Sequence, residues 1–184
     1  MTTTDSTSAA IALRPLRAGN ARFTVLSPAL IRLEWSPTGA AEDRPTQAFP
    51  DRDARVGDCS FSLRSLSGEA IDASVFAESG GEYETAELVL RYDPGASSGG
   101  AFTAESLSIR VKREPGTTWT PGADDSANLG GTTRTLDNVS GAAPLENGLL
   151  SRDGWAVYDD SRLPVFVRPG PGEASWHGEP WPRA

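Results

Sequence analysis

The sequence predicts an all-β fold, an antiparallel β-sandwich, on three observations. Short stretches alternate apolar and polar side chains with a period of two, most plainly Leu30–Trp35 and Ser106–Lys112. Nineteen glycines and fourteen prolines among 184 residues leave little room for long helices. Six to nine short segments of strand character are joined by turn formers, a pattern that suits a sandwich or a barrel.

Residues 1–20 begin with a run of Ser, Thr and Ala, show no periodicity, and are expected to form a disordered tail. The domain is expected over 21–168, followed by a linker rich in Gly, Pro and Trp over 169–184. Arg22–Ser27 places Phe23 and Val25 on one face. Ser27-Pro28-Ala29 reads as a turn into Leu30–Trp35, where Ile31, Leu33 and Trp35 share one face and Arg32 and Glu34 the other. The pair predicts a hairpin with its charges outside.

Ser60–Leu66, Ala73–Ala77 and Ala86–Tyr92 read as further strands, the last aligning Leu88, Leu90 and Tyr92. Asp93–Gly100 is a turn or loose loop. Ser106–Lys112 then points Leu107, Ile109 and Val111 one way and Ser108, Arg110 and Lys112 the other. Trp155–Asp159 and Pro164–Val167, short and apolar-aromatic, read as the last strands. Asn128–Asp153 stands apart, with few β-branched residues and many turn formers. A long loop inside a compact domain is often functional.

The net charge of −8 opposes phosphate binding, so nucleic acid is excluded as a partner, whereas a neutral sugar is compatible with it. Cys59 is the single cysteine and has no partner for an internal disulfide, which fits a cytoplasmic protein. The only apolar run near the start, Ala9–Leu13, is shorter than a signal-peptide core, and no stretch approaches a membrane span.

No constellation in the chain supports catalysis, a metal or a cofactor. His177 is the single histidine, which removes the triads and zinc sites that need it beside other ligands. Asp159 and Asp160 are adjacent, and on a strand they point to opposite faces, so they read as turn-forming carboxylates at a strand end rather than a catalytic dyad. Asp124-Asp125, beside Pro121-Gly122, reads as a solvated turn. Gly130-Gly131 lacks the phosphate-binding context and reads as a tight turn where backbone approaches another segment. Trp35 belongs to a core face, and Trp119 to core or interface. Trp155 reads first as core, with stacking on a sugar ring as the functional alternative. Trp176 and Trp181 call for a further surface to pack on.

Several multi-residue motifs occur in a meaningful order: RFTVLSPALIRLEWSP at Arg22–Pro37, EDRPTQAF at Glu42–Phe49, LGGT at Leu129–Thr132, RTLD at Arg134–Asp137, PLE at Pro144–Glu146, GLLSRDGW at Gly148–Trp155 and DDS at Asp159–Ser161. Together they resemble the region that precedes the catalytic barrel in bacterial members of glycoside hydrolase family 31. The resemblance implies a galactose-mutarotase-like β-sandwich that stands before a (β/α)8 barrel of the same polypeptide. In that family the barrel carries two aspartates, nucleophile and acid/base, whose carboxyls in a retaining mechanism stand about 5–5.5 Å apart. The matching region here contains neither, so the chain alone is expected to be inactive on α-linked glycosides. The resemblance also implies that one loop reaches the sugar pocket. RTLD nominates Asp137 as a substrate-binding residue, with Asp153 as its rival and Trp155 as a stacking candidate. A free-standing β-sandwich that binds carbohydrate without cleaving it is the alternative from another class.

Overall fold

The structure, a computed structural model, describes residues 14–52, 54–113, 116–131 and 145–166. It contains two antiparallel sheets. The first has the order β1-β2-β3, from β1 (Leu16–Ala18), β2 (Ala21–Ser27) and β3 (Leu30–Trp35). Ordered structure therefore starts earlier than expected, inside the stretch read as a tail. The cause is the Gly19-Asn20 turn, in which Gly19 takes a φ of 54° and lets Ala18 pair directly with Ala21. The predicted hairpin is present, with Phe23 opposite Leu33, Val25 opposite Ile31, and a register shift after Val25.

The second sheet has the order β4-β5-β6-β7-β8, from β4 (Ser62–Arg64), β5 (Gly81–Glu84), β6 (Leu88–Tyr92), β7 (Leu107–Val111) and β8 (Thr118–Trp119). Its register aligns Leu63, Tyr83, Leu90, Ile109 and Trp119 in one row across all five strands. The neighbouring row runs Ser62, Glu84, Val89, Arg110 and Thr118. Alternation along each strand thus sets one apolar face against one mainly polar face, and the apolar row ends on Trp119 at the sheet edge.

Three segments read as strands behave otherwise. Ala73–Ala77 lies in the helix α1 (Ala73–Ser79), not in a strand. Asp72 caps it, accepting from the backbone N–H groups of Ser74 and Val75, and Gly80 ends it at a φ of 69°. The apparent alternation misled because only Phe76 of this segment is fully buried, while Val75 is exposed. Trp155–Asp159 forms no strand, and in the described part of Pro164–Val167, residues 164–166, only Val165 forms a bridge, to Thr46.

Both sheets contribute to one core. Phe23 of β2, fully buried, stands 5.1 Å by ring centroid from Tyr92 of β6, 6.0 Å from Phe76 of α1 and 5.8 Å from Phe102. Each buried ring of this kind contributes about 1.5–3 kcal/mol by leaving water. The Tyr92 hydroxyl donates to the Gly100 carbonyl at 2.6 Å, so its polar end is satisfied inside the cluster. Cys59 sits at the edge of the same core.

The outer face of the first sheet is not a solvated charged surface. Arg22, Thr24 and Leu26 are all buried, so β2 is covered on both faces. The cover comes from two distant stretches, 41–56 and 158–166. Arg22 forks onto its cross-strand neighbour Glu34 at 2.6 and 2.8 Å and reaches Asp43 at 2.6 Å. The hydrogen bond it donates to Glu34 holds the Arg22 guanidinium above its ordinary pKa. Burial pulls Arg32, which shares Glu34, the other way. The two covering stretches are joined to each other through Asp160. It accepts from the Thr46 hydroxyl at 3.1 Å and pairs with Arg52 at 3.2 Å. The Phe166 N–H donates to the Pro45 carbonyl at 2.7 Å beside the Thr46–Val165 bridge.

Candidate functional site

The region that follows β8 is built around one carboxylate. Asp125, read from sequence as a solvated turn residue, is in fact buried. Its oxygens accept from the Ser151 hydroxyl at 2.7 Å and the Asn128 amide at 2.8 Å. The Ser151 bond first, then Asn128 and the Ala127 N–H, hold its carboxyl below the usual carboxylate range. Asp124 beside it is exposed, as expected.

Asn128 uses its whole amide. Besides donating to Asp125, it donates to the Gly148 carbonyl at 3.1 Å, and its oxygen accepts from the N–H groups of Gly130 and Gly148, both at 2.8 Å. A side chain with two donors and a two-lone-pair acceptor is here saturated. Around it the backbones of 127–131 and 146–152 run antiparallel. Leu129 N–H donates to Leu150, Gly131 N–H to Glu146 and Arg152 N–H to Ala127, with a bridge between Asn128 and Ser151.

The glycine pair acts as the sequence suggested. A Cβ on Gly148 would stand 2.5 Å from the Gly130 carbonyl oxygen, and one on Gly131 would stand 3.0 Å from the Glu146 carbonyl. The two backbones approach this closely because neither carries a side chain there.

This ribbon carries part of the LGGT, PLE and GLLSRDGW motifs, and apolar side chains on it and beside it are exposed. Leu129, Leu145, Leu149, Leu150, Val157 and Tyr158 are each at least 50% exposed. Among the described residues only Leu30, Val56 and Val75 join them as exposed large hydrophobics, so the exposure is concentrated after β8.

Between the ribbon and the edge of the second sheet lies a groove of about 180 Å³. Trp119 and Trp155 line it, with Val157, Asn147, Gly148 and Asp125. Of the three residues nominated as substrate-binding, the structure therefore places Trp155 in a groove, half-buried. Asp153 is exposed in the turn before it, its N–H donating to the Ser151 hydroxyl at 3.1 Å, and it does not line the groove. Asp137 lies outside the described residues. Trp119, Asn147 and Asp125 were missed as groove residues. Trp119 offered the one usable signal, an aromatic read as core or interface.

Among the described residues no group of three or more His, Cys, Asp or Glu side chains gathers to hold a metal ion. No helix among them is long and apolar enough to cross a membrane. No protein-family model matches the chain, and no curated protein matches it.

Proposed function

We propose that this chain is a non-catalytic β-sandwich domain, of the galactose-mutarotase-like kind, from a cytoplasmic family 31 α-glycosidase. Its work is to brace the catalytic (β/α)8 barrel of the same polypeptide and to lend that barrel's sugar pocket a loop. The supporting observation is the concentration of exposed leucines on the ribbon formed by LGGT, PLE and GLLSRDGW. Apolar surface gathered in one place favours a protein interface, and here it coincides with the motifs that resemble the barrel-facing region of the family. Gly131 and Glu146, hydrogen-bonded at 2.6 Å, fix the two ends of the segment that contains Asp137. In this reading Asp137 accepts hydrogen bonds from substrate hydroxyls, with Asp153 as the alternative and Trp155 as a stacking wall.

The test is reconstitution. The chain is mixed with a family 31 barrel that lacks its own β-sandwich, and both complex formation and turnover of an aryl α-glycoside are measured. The chain alone is expected to give no turnover. Together the two are expected to form a one-to-one complex with restored turnover, both lost in a Leu149→Asp, Leu150→Asp double variant that still folds. Turnover by the isolated chain, or no complex with any barrel tried, would refute the reading.

A further inference from the structure

We infer that the Trp119–Trp155 groove is itself a sugar site, able to take one pyranose ring on the isolated chain. The inference does not depend on the barrel reading, because every residue it uses lies on the described part of this chain.

The groove combines two features that rarely meet in a packing defect. Its walls are aromatic and aliphatic, Trp119, Trp155 and Val157, and its volume of about 180 Å³ is on the scale of one six-membered ring with its hydroxyls. Two polar side chains also line it, the buried Asp125 and the exposed Asn147. An apolar ligand would offer no partner to the Asn147 amide or to the remaining acceptor site of Asp125, which costs free energy. An anion would meet the carboxylate of Asp125, and among the described residues no cationic side chain lines the groove to offset it. A pyranose satisfies both parts. Its C–H face covers an indole, while its hydroxyls both donate and accept at the rim.

Asp125 fits this role. An ionised carboxylate offers about four acceptor sites. Ser151, Asn128 and the Ala127 N–H occupy three, which fixes the group rigidly and leaves one acceptor position for a ligand hydroxyl. Asn147 supplies both a donor and an acceptor from an exposed side chain. Trp119 is held in place because it ends the apolar row of the second sheet, so one wall is preorganised by the core.

The experiment titrates the chain with methyl α-glucoside, maltose and xylose, following indole fluorescence and indole N–H shifts. Choline is run in parallel, since two indoles and a carboxylate also suit a quaternary ammonium ion. A saturable response with a millimolar Kd for at least one sugar is expected, weakened about tenfold or more by Trp155→Ala and by Asn147→Ala. Both variants are checked for an unchanged far-ultraviolet spectrum, and Trp119→Phe, which preserves an aromatic wall, is expected to retain weaker binding. Saturation by choline but by no sugar would overturn the sugar assignment. So would sugar binding that both variants leave intact, or no saturable response to any of the three sugars. None of these outcomes involves a barrel, so they leave the reconstitution result to stand or fall alone.

Discussion

Asp159 and Asp160 are neighbours of identical chemistry, and the structure assigns them opposite consequences. Asp160 has a side chain 23% exposed and sits between the Thr46 hydroxyl and the Arg52 guanidinium, whose own side chain is only 7% exposed. Asp160→Ala removes both contacts at once. Thr46, 1% exposed, loses the acceptor for its hydroxyl proton, which costs about 1 kcal/mol. Arg52 keeps its bond to the Arg44 carbonyl but loses its carboxylate while remaining buried. Breaking one side of a fully buried ion pair costs about 3–5 kcal/mol, and the water that reaches Asp160 lowers this to about 1–2 kcal/mol. The expected total is about 2–3 kcal/mol. With an m-value of about 2 kcal/mol per molar urea, the unfolding midpoint falls by about 1–1.5 M. Asp159, by contrast, is exposed and accepts only from the N–H and hydroxyl of Ser161 two residues on, so Asp159→Ala is expected to change stability by no more than about 0.5 kcal/mol. Urea unfolding of both variants by fluorescence and circular dichroism decides the matter. Equal effects, or a loss below about 0.5 kcal/mol for Asp160→Ala, would refute the argument that this carboxylate joins the two covering stretches.

Two further predictions concern the core and the ribbon. Burial raises the Tyr83 phenol well above its ordinary pKa, and burial followed by the nearby Asp93 charge raises Tyr92. Their contribution to stability is therefore complete below the unfolded value of about 10 and is lost as pH rises towards the folded values. Phenolate absorbance is expected to rise in a cooperative step together with unfolding, and reversible ionisation of Tyr83 near pH ~10 in the folded chain would contradict its burial. Gly148→Ala brings a methyl group to 2.5 Å from the Gly130 carbonyl oxygen, an atom of backbone that cannot rotate aside. The ribbon is expected to part, lowering stability by about 1–3 kcal/mol and speeding amide exchange at Leu129 and Gly131. An unchanged melting temperature with unchanged exchange would mean that the two backbones are not held as described.

Where the period-two alternation was unbroken, the strand could be read directly, although the charged face of Leu30–Trp35 is covered rather than solvated. Leu30–Trp35 and Leu107–Val111 are strands for the reason given by their pattern, and Gly130-Gly131 is the close backbone approach its composition suggested. Two sheets of antiparallel strands were legible on that basis. The helix α1 was legible too, but from its ends rather than its middle: Asp72 and Gly80 are a cap at each terminus, a stronger signal than the alternation of Ala73–Ala77 between them. The cover on the outer face of β2 was not legible. It pairs Arg22 with Asp43 and Arg52 with Asp160, and no local pattern in the sequence says that a charged strand face will meet charges from elsewhere. The groove was hidden for a similar reason. Trp155 stood out as an aromatic after a polar turn, but Trp119, which lines the groove with it, comes from the edge strand of the second sheet. Asp125 looked like a turn residue until Ser151 and Asn128 closed around it.

The union of the two covering stretches also governs how the domain is made. Thr46 and Asp160 lie 114 residues apart, so on a ribosome that adds about 5–20 residues per second the first waits roughly 6–23 s for the second. During that interval β1, β2 and β3 have all emerged and can pair, yet Arg52 has no carboxylate from Asp160 and the outer face of β2 is only partly closed. The nascent chain therefore passes through a stage in which its earliest sheet is formed while the stretch laid over it still lacks the carboxylate that ties it down.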